Sequence, residues 1–171
     1  PDRRSPRKHV VTAGRLEIVS IDCPSLEGNP LGDPTVRDTP VWLPPGYDEE
    51  TDRTYPVIFV LAGYSGHGRL MVAERTFSET LDARLDRLVA AGTIEPAIFC
   101  MPDAFTRLGG SQYVDSAATG RYETMIAEDM VAAMDERYRV TPGRRGLVGK
   151  SSGGFGSIRL GLRPVSYTHL T

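Results

Sequence analysis

The stretch "RRGLVGKSSGGFGSIRLGLR", residues 144–163, decides how this chain folds. The apolar residues Leu147 and Val148 lead in as a strand, a run of small residues leads out as a helix, and the turn between them is Gly149-Lys150-Ser151-Ser152-Gly153. That is the pattern G-x-S-x-G in the setting of a nucleophile elbow, where a sharp strand-to-helix turn lifts a serine above the sheet. So sharp a turn brings strand and helix together two residues either side of the serine, and Gly149 and Gly153 leave room for that approach. By position the nucleophile is Ser151, and Ser152, the residue after it, offers its backbone N–H as one oxyanion donor. A phosphate-binding loop competes through Gly149-Lys150-Ser151. It needs a glycine at position 144, which is Arg144, and an open loop where Leu147 and Val148 read as strand.

Working outward, two periods alternate. Residues 15–22 and 38–47 read as N-terminal strands, the second closed by Pro44, Pro45 and Gly46. Residues 57–61 form a continuous apolar run, as in a strand covered on both faces. Residues 78–91 carry Leu81, Leu85, Leu88 and Val89 at helical spacing, with Gly92 as a stop. "PAIFCMPD", residues 96–103, is a further strand, and residues 123–138 a helix with Ile126, Met130, Val131 and Met134 on one face. Residues 145–149 and 152–162 supply the last strand and helix. Strand and helix in alternation imply right-handed crossovers and a mostly parallel sheet with flanking helices, in the α/β class. Active sites of such sheets lie at the C-terminal strand ends.

Three further loops belong to that edge. In "LAGYSGHGR", residues 61–69, small residues let the backbone approach a ligand, and Tyr64 is the candidate for the second oxyanion N–H. His67 lies in the same loop. In this topology the general base follows the nucleophile in sequence, so His67 reads as a residue of the pocket rim rather than the base. Asp103 ends a strand and either faces the site or forms a turn after Pro102. Ser111, Gln112 and Tyr113 either shape an acyl or alcohol pocket or fix a surface loop.

Composition narrows the classes. A net charge of −2 and a pI near 6.0 give no reason to expect nucleic acid or an anionic membrane as partner. Two cysteines, Cys23 and Cys100, build no disulfide or zinc framework, and Cys100 in its apolar run reads as core. No stretch reaches the length of a membrane span. The chain begins without Met and with a basic segment that no apolar run follows, so a cytoplasmic setting is slightly favoured and a secreted one stays open.

Together, "VWLPPGYD", "YPVIFVLAGYSG", "GSQYVDSAATGRYETMIAEDMVAAMDERYRV" and "GLVGKSSGGFGSIRLGLR" resemble the Putative esterase family of α/β-hydrolases. That family includes esterase D (S-formylglutathione hydrolase), enterochelin esterases, feruloyl esterases and antigen 85 mycolyltransferases. The resemblance spans about residues 38–163. It implies a serine nucleophile at Ser151, oxyanion donors at Tyr64 and Ser152, a small-molecule ester or thioester substrate and no cofactor or metal. The family's acid and histidine come from later strands, which this sequence does not show. Residues 164–171, "PVSYTHLT", resemble the translation of a sequencing adapter, so His169 is not expected to be the triad histidine. The expectation is therefore residues 1–163 of one esterase domain, incomplete at its C-terminus and nearly inactive alone. An acyltransferase of the same fold, a noncatalytic binding protein and a phosphate-loop NTPase are the alternatives; oligomeric state is not legible.

Overall fold

The computed structural model describes residues 13–162; the adapter-like stretch, His169 included, lies outside them. Strand β1 (Arg15–Asp22) has the span read from the sequence, and β2 (Val36–Leu43) begins two residues earlier than expected and stops at Pro44, where the ladder loses a donor. The two pair antiparallel along their whole length, Arg15 opposite Leu43 and Asp22 opposite Val36. Then follow β3 (Tyr55–Leu61), the single turn α1 (Gly68–Met71), α2 (Leu81–Ala90) and a short β4 (Ile98–Cys100). Two small ribbons come next, β5 (Phe105–Thr106) with β6 (Gly109–Gly110) and β7 (Asp115–Ser116) with β8 (Gly120–Arg121). A continuous helical stretch comprises α3 (Tyr122–Thr124), a π-helical segment (Met125–Met130) and α4 (Val131–Arg137). The chain returns through β9 (Val140–Gly149) and leaves through α5 (Ser152–Gly161).

The main sheet has the order β1-β2-β4-β3-β9. β4-β3-β9 is parallel, as expected, but β1-β2 and β2-β4 are antiparallel, so the sheet is mixed rather than mostly parallel among the described residues. The cause is local. Residues 23–35 between β1 and β2 hold one short 3-10 turn (Pro24–Leu26) and no crossover helix, and β2 returns beside β1, whereas the parallel pair β3 and β4 is joined through α2.

Side-chain alternation sorts the core into two layers. Val41, Leu43, Val57, Phe59 and Leu61 point to one face, under Met125, Ile126, Met130 and Met134. Trp42, Leu85 and Met101 form the other, with Val60, Leu81 and Val89 packed against them. β3 was expected to be covered on both faces; alternate residues are instead buried and half-buried, because α2 covers only part of the second face. β9 is twice as long as the five residues read as strand. Its first half slips against β3, five residues of β9 spanning two of β3, with Gly143 at φ 70°. In α5 Leu160 is buried, while Ile158, and Leu162 just after the helix, are exposed. Cys23 and Cys100 are both free and fully buried, and burial pushes the Cys23 thiol up to about 12.

Candidate active site

Because β3 and β9 run parallel with Leu61 opposite Gly149, both deliver their C-terminal ends to one edge of the sheet. There the backbone turns over Lys150 and Ser151 into α5, with Gly153 N–H donating to Lys150 O at 3.0 Å and Phe155 N–H to Ser151 O at 3.0 Å. Ser151 sits at φ 57°, ψ −120°. A non-glycine residue held there costs on the order of 1–3 kcal/mol and persists only where its surroundings impose it. The surroundings are backbone. A Cβ on Gly149 would lie 2.4 Å from the Gly153 carbonyl carbon, and one on Gly153 would lie 2.0 Å from Leu61 O. Any side chain at either position would push β9, α5 and β3 apart.

The loop after β3 lies alongside this turn. An ideal Cβ on Gly63 would stand 3.6 Å from Lys150 O and 3.9 Å from Ser151 Cβ. Tyr64 follows and is pinned twice, its hydroxyl donating to Leu108 O at 2.5 Å and its carbonyl accepting from Gly110 N–H at 2.7 Å. Gly109 and Gly110 make that docking possible, since side chains there would strike the Tyr64 ring and main chain. The sequence brought Tyr64 to the site; nothing in it announced the β5–β6 ribbon that fixes it.

Gln112 and Tyr113 form a second strained point, at φ 58° and 55°. Gln112 Oε1 accepts from Ser152 Oγ at 2.8 Å, and the Tyr113 hydroxyl donates to Ala62 O at 2.8 Å. Tyr113 is buried, its ring against Gly156, where a Cβ would lie 2.6 Å away. It is therefore a support beneath α5 and the end of β3, not part of a pocket rim. Asp103 is likewise displaced from the rim. It accepts from Phe105 N–H at 3.0 Å and stands 3.8 Å from Arg37, the turn role allowed for it. Arg37 also donates to Phe105 O and to the Tyr122 hydroxyl, which donates in turn to Asp33 at 2.9 Å. This buried chain fixes the segment after β4 to the helical layer.

Ser151, Gly63, Tyr64 and His67 share the wall of a cavity of about 940 Å³. His67 is the only histidine among the described residues. Its ring makes an edge contact with Phe105 at 6.0 Å, and its Nδ1 is buried without a hydrogen-bond partner. Arg75, Glu79, Arg84 and Lys150 add charge to the wall. The segment carrying Arg75 has no periodicity and no motif, and Glu79 lies in the periodic stretch 78–91 ahead of its first apolar position, so neither was read as part of the site. Glu79 accepts from Arg87 and Arg84, and these bonds hold its carboxyl down to about 2. Residues 144–149, which a phosphate-binding loop needs open, are strand β9; that alternative is closed. Among the described residues no helix is long and apolar enough to cross a membrane.

Comparison with known proteins agrees with this fold. The family described as "Putative esterase" matches residues 36–169. The chain belongs to this esterase family. A solved ferulic acid esterase is 24% identical with a TM-score of 0.72 over 91% of this chain and 57% of its own. The ferulic acid esterase of Anaeromyces mucronatus is 21% identical, TM-score 0.66, over 98% and 61%. An S-formylglutathione hydrolase from Agrobacterium tumefaciens is 17% identical, TM-score 0.66, over 91% and 56%. These likenesses show the α/β-hydrolase fold, and this esterase-family chain spans about three fifths of the solved structures' length. No curated protein matches the chain.

Proposed function

We propose that this chain carries the nucleophile half of a serine carboxylesterase acting on ester or thioester bonds through an acyl-enzyme on Ser151. The observation that carries the reading is the strained Ser151, enforced by backbone contact at Gly149 and Gly153, on the wall of a cavity it shares with the Gly63–Tyr64 loop. Ser151 Oγ attacks the carbonyl carbon and loses its proton to a histidine, and the alkoxide or thiolate leaves with that proton. Water then releases the acid. The N–H groups of Tyr64 and Ser152 hold the oxyanion, with Gln112 positioning Ser152 through its side chain. The histidine and its carboxylate partner come from chain beyond residue 163, so residues 1–171 alone hydrolyse esters at most at the low rate that an oxyanion hole and binding provide.

The test begins with a long read of the source DNA across the Arg163 codon, followed by expression of whatever frame continues. The continued protein is expected to turn over p-nitrophenyl acetate and to lose at least about 10⁴-fold on Ser151→Ala. A frame that truly ends, or a Ser151→Ala protein with full activity, overturns the reading. Product analysis with an added alcohol separates hydrolysis from acyl transfer.

A further inference from the structure

The cavity beside Ser151 is charged in a direction opposite to the protein. The whole chain carries −2, yet the ionic side chains on the cavity wall are Arg75, Arg84, Lys150 and a single carboxylate, Glu79. Glu79 is fully engaged. It accepts from Arg84 Nε at 3.2 Å and from Arg87 Nε and Nη2 at 2.9 and 3.0 Å, so its charge is met within that cluster. The Lys150 side chain forms no ion pair or hydrogen bond with any described residue, although it directly precedes the strained serine. Arg75 donates one N–H to Leu70 O at 3.2 Å, which ties it to α1, and makes no ion pair among the described residues. Two uncompensated cations therefore stand on one concave surface with Ser151. A cleft lined by one sign of charge focuses its field and concentrates ligands of the other sign.

Size and chemistry agree. A cavity of about 940 Å³ lies at the upper end of the range for small-molecule sites. An arginine offers a planar fork and a lysine a point charge, both suited to an oxyanion. Resting on the esterase reading above, we propose that the substrate is an ester or thioester carrying a carboxylate or phosphate on its acyl or leaving part. Lys150 and Arg75 receive that anion while the reacting carbonyl lies at Ser151. Neutral esters of the same shape bind without this contribution.

Titration calorimetry at low salt tests it, with phenylacetate and phenyl phosphate as probes and phenylacetamide as the neutral control. At least one anion is expected to bind about tenfold or more tighter than the amide, and the tighter of the two identifies the class. The preference should shrink in 0.5 M NaCl and be largely lost in Lys150→Met and in Arg75→Met, both exposed positions. Glu79→Gln, which releases Arg84, should strengthen anion binding. Equal affinity for anions and amide, no anion binding, or a preference unchanged in both Met variants overturns the proposal. Anion binding in the Ser151→Ala protein should persist, so this reading and the esterase reading fail separately: one by calorimetry, the other by turnover.

Discussion

Strands β2 and β9 show how differently two strands of one sheet are held. β2 lies between β1 and β4, and Val41, Trp42 and Leu43 in it are fully buried. β9 pairs only with β3 among the described residues, and none of its ten residues is fully buried. Val148 within it and Phe155 in α5 are each 49% exposed, Ile158 is 67% exposed and Leu162, just after α5, 76%. Yet the sharpest geometry in the molecule, the Ser151 turn, ends β9 and not β2. Its shape is imposed by close backbone approach at two glycines, not by burial of apolar surface.

That contrast can be broken at several points. Phe59→Ala, in the buried face of β3, is expected to lower stability by about 3–5 kcal/mol, whereas Ile158→Ala on the open face of α5 should change it by less than about 0.5 kcal/mol. Urea unfolding of both variants decides; a large loss from Ile158→Ala would show that the outer face of α5 is packed in solution. Next, Gly153→Ala is expected to cost about 3 kcal/mol, because its Cβ falls on Leu61 O. Gly161→Ala on the same helix meets nothing within 4 Å and should stabilise by about 0.5–1 kcal/mol. Similar effects at the two glycines would deny that backbone contact shapes the turn.

The smallest effect concerns the N-terminal side. Burial raises the Cys23 thiol from 9.0 to about 12, so the folded state favours the neutral form. The associated stability is complete below pH 9, where the unfolded thiol is also neutral, and is lost as pH rises toward 12. At pH 10 the loss amounts to about 1.4 kcal/mol. The urea midpoint should fall between pH 8 and 10 and fall less in Cys23→Ala; an identical slope in both proteins would place the effect elsewhere.

Much of this arrangement was legible in the residues. The span of β1, the buried face of Ile126, Met130, Val131 and Met134, and the Ser151 turn follow from period and from glycine spacing, which report local sterics and one-sided burial. The antiparallel start of the sheet, the slip in β9 and the π-helical segment were not, since each depends on which neighbour a strand or helix meets. The alternatives left open at Asp103 and Tyr113 were likewise decided by the neighbours each residue meets. Asp103 was claimed by the Phe105 N–H and Tyr113 by the Ala62 carbonyl, partners distant or unmarked in the sequence.

By itself the sequence determined that a serine would stand on a strained turn between a strand and a helix, because only glycines at 149 and 153 admit that backbone, and it carried the family likeness. Tertiary structure alone decided what surrounds the serine. Arg75, Glu79 and Lys150 share its cavity, and the segment from 108 to 113 anchors Tyr64 and Ser152. Such groupings join residues tens of positions apart through loops without periodicity, and hydrogen bonds and charge act across space with no trace in local spacing.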